Sequence, residues 1–172
     1  LSEMLCGLES HYPKIAWIIR IAATKGILIN KGVFLVGHTP EIAPESYCHV
    51  IYPPLCQNLL EKKLLALDCL PDSIKRLYLF MNGATFYWGN FELWGFRTSE
   101  DHYTNPAYDL LEENAKSNGT YIGLGSNSCG DTLVLNCASG SIQLVPREPD
   151  LEFASFANLD DFFLYMKELN NE

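Results

Sequence analysis

Along the first part of the chain the apolar positions fall at helical spacing. Leu5, Leu8, Tyr12, Ile15, Ile19 and Ala22 recur at steps of three and four, which lines one face of a helix. Pro13 interrupts the run, and because proline suits a first helical turn, the pattern predicts a helix over 13–25 that Gly26 stops. The period then shortens. Residues 27–29 and 33–36 are short apolar runs around Asn30-Lys31-Gly32, the length and composition of a hairpin. Residues 39–54 carry Pro40, Pro44, Pro53 and Pro54, which predicts a connector with one strand at 48–52.

Helical spacing returns at Pro54. Leu55, Leu59, Leu60, Leu64 and Leu67 form a stripe opposite Glu61, Lys62 and Lys63, and Pro71 requires that helix to end before it. A second helix over 72–81 turns Ile74, Leu77, Tyr78 and Met81 inward, and Asn82-Gly83 reverses the chain at its end. Residues 85–88 and 91–96 are aromatic and β-prone, with Gly89-Asn90 between them as a two-residue turn. Asn105-Pro106 opens a further helix that buries Tyr108, Leu111 and Ala115 and closes at Asn118-Gly119. Strands at 121–124, 131–136 and 141–145 follow as a meander, separated by turns at 126–130 and 137–140. A last helix starts near Asn158, with Asp161 completing its cap, and buries Leu159, Phe162, Phe163, Met166 and Leu169. Helices and strands come in separate blocks, so the fold class is α+β: a mostly antiparallel sheet flanked by helices. Residues 1–50 form an N-terminal extension, helix plus hairpin, packed on a main domain over 51–172.

Charge narrows the partners. With 12 basic and 21 acidic side chains the formal net charge is -9, a field that repels phosphate backbones and anionic lipid and steers a basic protein into contact. A nucleic-acid role and a membrane role are therefore disfavoured. The dense apolar run at 15–23 is nine residues long and includes Arg20, short of the roughly 20 residues that span a bilayer, and no signal-peptide pattern precedes it. The six cysteines, Cys6, Cys48, Cys56, Cys69, Cys129 and Cys137, have no tight repeated spacing and are expected to be reduced and mostly buried, in a cytoplasmic setting. Asn118-Gly119-Thr120 fits a glycosylation sequon, but a helix-ending Asn-Gly explains it without secretion.

The stretch Gly123-Leu124-Gly125-Ser126-Asn127-Ser128-Cys129-Gly130 invites a phosphate-loop reading, yet Asp131 stands where such a loop carries lysine, and a strand follows it, not a helix. Neither Ser126 nor Ser128 has glycine two residues away on both sides, so a nucleophile elbow is not formed. A thiol nucleophile at Cys129 would need His49 or His102, and the sequence fixes no such geometry. His38, Cys48, His49 and Cys56 match no compact zinc spacing, and His11 and His102 are expected at the surface or at caps. The paired acids Glu112-Glu113, Asp160-Asp161 and Glu41/Glu45 are expected to face solvent. No cofactor is implied. The aromatic hairpin is the more informative cluster: Phe86, Trp88, Phe91, Leu93 and Gly95 point one way and Tyr87, Glu92, Trp94 and Phe96 the other, so one face needs a covering helix or a partner.

Read in order, several pieces resemble the SUKH superfamily, the group that includes the yeast cell-wall assembly regulators Smi and Knr. They are Leu70-Pro71 before a helix ending in Asn82-Gly83, a hairpin with Leu93-Trp94-Gly95, the Ile122-Gly123 strand, and Gly130-Asp131 turning into an apolar strand that ends at Asn136. The Gly140 turn and Ser155-Phe156 before a Phe-rich helix complete the set, which covers residues 55–169 and leaves the first fifty outside it. The resemblance implies an α+β protein-binding scaffold without enzymatic activity. Bacterial members of that group bind and neutralise toxins of intercellular competition, many of them nucleases, while eukaryotic members are regulatory interaction modules. Together with the net charge of -9, this gives as the expectation an immunity protein that binds and neutralises a toxin with a basic face, the alternatives being a regulatory interaction scaffold and a Cys129 hydrolase, with Glu92, Trp94 and Asp131 as candidate contacts and Asp131 doubling as a turn cap.

Overall fold

The computed structural model describes residues 1–37, 49–98, 105–115 and 119–170, apart from the side chain of Trp88. The expectations placed on His38, Glu41, Glu45, Cys48, Trp88, His102 and Asn118 lie outside these described residues.

The N-terminal stripe folds as two helices, α1 (Ser2–His11) and α2 (Pro13–Ala23), broken at Tyr12. Proline has no N–H to close a turn back into α1, so it opens a new helix instead. The stripe survives the break, since Leu5, Leu8, Tyr12, Ile15, Ile19 and Ala22 are all buried. No side chain next to Pro13 caps α2. Asp160 does so from the other end of the chain, its Oδ1 accepting from Lys14 N at 2.7 Å and Ile15 N at 3.3 Å. Burial nevertheless holds the Asp160 carboxyl above its ordinary range, with these two bonds opposing the shift. The Tyr12 hydroxyl donates to the Ser73 carbonyl and ties the break to the fourth helix.

Among the described residues nine strands form one antiparallel sheet in which each strand pairs with the next: β1 (Ile27–Asn30), β2 (Val33–Val36), β3 (His49–Ile51), β4 (Ala84–Phe86), β5 (Phe91–Leu93), β6 (Tyr121–Asn127), β7 (Thr132–Asn136), β8 (Ile142–Val145) and β9 (Ala154–Phe156). The N-terminal hairpin therefore continues the sheet, through the pairing of β3 with β4. Between those strands come α3 (Gln57–Leu64), a 3₁₀ turn at Leu65–Leu67, and α4 (Asp72–Leu77). The short α5 (Leu110–Glu113) joins β5 to β6, and α6 (Leu159–Leu169) follows β9. The architecture is α+β. One sheet face is apolar: Val36, Ile51, Phe86, Phe91, Leu93, Leu133, Leu135 and Ile142 are buried on it. Helix α2 packs on β2 and α6, and α6 sets Phe162 at 4.8 Å from Phe91 and Phe163 at 4.8 Å from Phe86, ring centre to ring centre.

Several local expectations are corrected by long-range contacts. The β4–β5 connection is a 3₁₀ turn at Tyr87–Gly89 followed by Asn90, not a two-residue Gly89-Asn90 turn. Tyr87 takes φ 50, held there by Tyr87 N donating to the buried His49 Nδ1 at 3.2 Å. The helix expected from Asn105 begins at Leu110, because Asp109 is its cap and Asn105 accepts from Thr98 N instead. Leu110 is consequently the buried residue, while Tyr108 and Ala115 are exposed. Leu169 is exposed at the frayed end of α6, and β9, only three residues long, gave no alternation to read. None of the five described cysteines is buried: Cys6, Cys56 and Cys129 are exposed, Cys69 and Cys137 half-buried, and all five are free.

The stretch ending at Asn82-Gly83 docks directly on the Trp94-Gly95-Phe96 segment. Buried Asn82 mimics a strand partner, its Nδ2 donating to Phe96 O and its Oδ1 accepting from Phe96 N, both at 2.8 Å. Gly95 permits the approach, since a Cβ there would lie 2.1 Å from Asn82 O. The Tyr78 hydroxyl donates to Trp94 O at 3.0 Å. Asn82→Ala would leave the Phe96 N–H and C=O without partners in a buried setting, so chemical denaturation should show a stability loss of about 2–4 kcal/mol.

Candidate functional site

The face opposite α2 and α6 is where the candidate residues lie. Cross-strand register sets Thr85, Glu92, Ser126 and Thr132 in one row across β4 to β7, and directly opposed residues share a face. All four are half-buried. Trp94 follows Glu92 by two residues and continues on the same face.

Trp94 is 7% exposed. Its ring lies across Gly123, where a Cβ would come 2.5 Å from Cζ3, and its Nε1 donates to Ser126 Oγ at 3.3 Å. Tyr108, 44% exposed, covers it with ring centres 6.0 Å apart. That placement depends on α5. Asp109 Oδ1 accepts from Leu111 N and Glu112 N, Asp109 Oδ2 accepts from Arg97 N at 2.7 Å, and Leu110 N donates to Gly95 O at 2.7 Å. Asn114 then repeats the Asn82 arrangement on β6: its Nδ2 donates to Gly123 O and its Oδ1 accepts from Gly123 N. Tyr108 and Ser126 were absent from the sequence-derived site. The segment Asp109-Leu110-Leu111-Glu112 carries an acid-x-x-acid cap signal that would have moved the helix start and freed Tyr108 from the buried stripe.

Asp131 lies in the turn between β6 and β7, and its carboxylate is satisfied within the chain. Oδ2 accepts from Asn127 Nδ2 at 2.8 Å and Oδ1 from Arg147 N at 3.0 Å, while Asn127 Oδ1 accepts from Asp131 N. Glu92 differs. Its Oε2 is withdrawn from solvent and has no donor, and burial raises the pKa of its carboxyl. Of the three candidates, then, Trp94 is packed under Tyr108, Asp131 holds a turn, and Glu92 has an acceptor to offer.

The groups considered for catalysis are dispersed. Cys129 is exposed in the β6–β7 turn, its N–H donating to Asn127 Oδ1. His49 is enclosed on the opposite, helix-covered face between Phe86 and Tyr87, and burial, with Lys25 adding to it, lowers its pKa to about 4. Among the described residues no group of three or more His, Cys, Asp or Glu side chains is placed to hold a metal ion.

Compared with known families, residues 59–164 match the SMI1 / KNR4 family (SUKH-1), more than half of the chain. The match begins inside α3, ends inside α6, and includes both asparagine clamps, Glu92, Trp94 and Asp131. No curated protein matches the chain.

Two titrations follow from this geometry. His49 stays neutral when folded while the unfolded chain takes a proton near 6.5, so stability falls as pH drops from 6.5 towards about 4, by a total of about 3 kcal/mol. Denaturation midpoints across that window, with the His49 resonances unshifted down to pH ~5, check it. Glu92 has the reverse sign: its folded carboxyl holds a proton more tightly than the unfolded one, so its ionisation costs stability at neutral pH. Glu92→Gln should therefore raise the denaturation midpoint at neutral pH, and the gain should vanish in acid, where the carboxyl is protonated in both folded and unfolded chains.

Proposed function

Because the chain belongs to the SMI1 / KNR4 family (SUKH-1), a family that includes toxin-immunity proteins, we propose that it is a non-catalytic immunity protein that binds and neutralises a basic toxin domain. The observation that carries the reading is Glu92, an acceptor with a withdrawn and unpartnered oxygen on the sheet face opposite α2 and α6. A desolvated carboxylate costs the free protein stability and is repaid by a lysine or arginine brought by a partner. The formal net charge of -9 supports the same partner chemistry, since it steers a cationic surface towards the protein from a distance. Tyr108, half-exposed over the Trp94 ring that follows Glu92 by two residues, supplies aromatic surface, the composition in which binding energy concentrates.

In this reading the partner is a protein, no nucleic acid or membrane is engaged, and the setting is the cytoplasm. The free state of the five described cysteines supports that setting, and no helix among the described residues is long and apolar enough to cross a membrane. The first fifty residues are an elaboration whose hairpin lengthens the sheet of the family domain. The separation of exposed Cys129 from enclosed His49 supports a non-catalytic role over a thiol hydrolase.

Isothermal titration against the toxin domain encoded beside this gene tests the proposal. A stoichiometric complex is expected, weakened by added salt, with Glu92→Gln losing about tenfold in affinity, or about 1.4 kcal/mol. Absence of a complex, or capture only of regulatory proteins that are not toxins, would overturn it.

A further inference from the structure

Two of the half-buried cysteines meet. Cys69 lies in the turn between the 3₁₀ segment and α4, and Cys137 opens the turn between β7 and β8, at the far side of the central strands in sequence. Their thiols are hydrogen-bonded to each other, and the Asp68 carboxylate stands close enough to act on Cys137. Neither position is free to drift. Leu67 and Leu70, on either side of Cys69, are buried, and Leu70 N donates to Leu67 O at 3.1 Å across the turn. Cys137 N donates to Thr120 O at 3.0 Å, which continues the β6–β7 ladder by one rung, and Gly140 N closes the turn on Asn136 O at 2.8 Å. The Asn136 side chain holds the same turn from inside, its Oδ1 accepting from Ala138 N and Ser139 N. Both cysteines pack against the one core. Two anchored backbones that keep their sulfurs in contact supply what a disulfide requires before it can form without distorting the fold.

We propose that Cys69 and Cys137 are a redox-sensitive pair that closes to an intramolecular disulfide when the surrounding thiol pool is oxidised. The oxidant is a low-molecular-weight disulfide, with glutathione disulfide as the probe. The Cys69 thiolate attacks one sulfur of the probe, whose S–S bond breaks to release one glutathione thiolate. Cys137 then gives up its proton and attacks the Cys69 sulfur, expelling the second glutathione. Two electrons pass from the protein thiols to the probe, and one disulfide forms as another is reduced. The surroundings set this order: burial above all, then the bond to Cys69, pushes the Cys137 thiol up to about 11, so it acts second. Cys6, Cys56 and Cys129 are exposed on separate elements, in α1, at the start of α3 and in the β6–β7 turn, where each takes up one glutathione without closing a ring. The ring closed by Cys69 and Cys137 contains both asparagine clamps together with Glu92 and Trp94. Closing a ring of that length removes conformational freedom chiefly from the unfolded chain and so stabilises the folded one. In a reducing cytoplasm such a bond is transient, the behaviour of a redox sensor and not of a permanent staple.

Peptide mapping reads the bond directly. The reduced full chain is equilibrated in glutathione buffers of rising oxidised fraction, quenched with an alkylating agent, digested and analysed by mass spectrometry. The expected product is a peptide pair joined through Cys69 and Cys137, two hydrogens lighter than its reduced parts and separated again by dithiothreitol. Closure should raise the thermal midpoint by roughly 5–15 °C. Cys137→Ser should stop the reaction at a mixed disulfide between Cys69 and glutathione and abolish that rise, while the mapping of the unsubstituted chain stands without the variant. Separate glutathione adducts on Cys69 and Cys137, a bond from either one to Cys48 or another cysteine, or closure only in denaturant would each overturn the inference. A midpoint that does not rise on closure would overturn it as well, because the native positions would then not accommodate the bond.

Discussion

The structure depends on one buried amide. Asn82 places its side-chain oxygen and nitrogen against the backbone of Phe96 as a neighbouring strand would, at the point where β5 has ended and no strand is available. This clamp fixes the helix–turn segment ending in Asn82-Gly83 to the aromatic segment after β5. The Gly95 backbone must then pass within contact distance of Asn82 O, which excludes any side chain at that position. Everything downstream inherits its position from there: Leu110 N docks on Gly95 O, Asp109 caps α5, and Asn114 repeats the clamp on Gly123. Trp94 is thereby held between Gly123 and Tyr108.

Against this background the treatment of carboxylates is uneven. Asp109, Asp131 and Asp160 each accept from backbone N–H groups and stabilise a helix start or a turn. Glu92 has no such donor for its Oε2, although that atom is withdrawn from water. In a chain that satisfies these acids with backbone N–H groups, one left unsatisfied on a sheet face is a cost of folding. The same contrast separates the two faces of the sheet: aromatic rings from α6 fill one, and half-buried polar residues occupy the other.

Legibility followed the range of the interaction. The core stripes of α1 with α2, of α4 and of α6, the β1–β2 hairpin and the three-strand meander were readable, because each rests on periodicity or turn chemistry within a few residues. The aromatic alternation over 86–96 placed Phe86, Phe91 and Leu93 on one face correctly, while of the other set Trp94 and Phe96 proved to be buried and Glu92 half-buried. The β4–β5 turn was misread because His49, 38 residues away, holds Tyr87 in a conformation its own sequence does not favour. Helix α5 was misplaced because Asn105 and Asp109 are both good caps, and only the position of Arg97 and Thr98 decides which one serves. At the site, the sequence named Glu92, Trp94 and Asp131 together, and only the packing and hydrogen bonding of the folded chain tell the three apart.

By itself, then, the sequence determined the α+β class, most of the order of elements, the net charge of -9, and the resemblance that the family match over 59–164 bears out. These follow from local spacing, composition and motif order, which the linear chain contains in full. Only the tertiary structure decided that Asp160 caps a helix 146 residues earlier, that Trp94 is enclosed, that Asp131 is satisfied, and that Glu92 Oε2 is left without a donor. Whether a polar group has a partner depends on atoms brought together by folding.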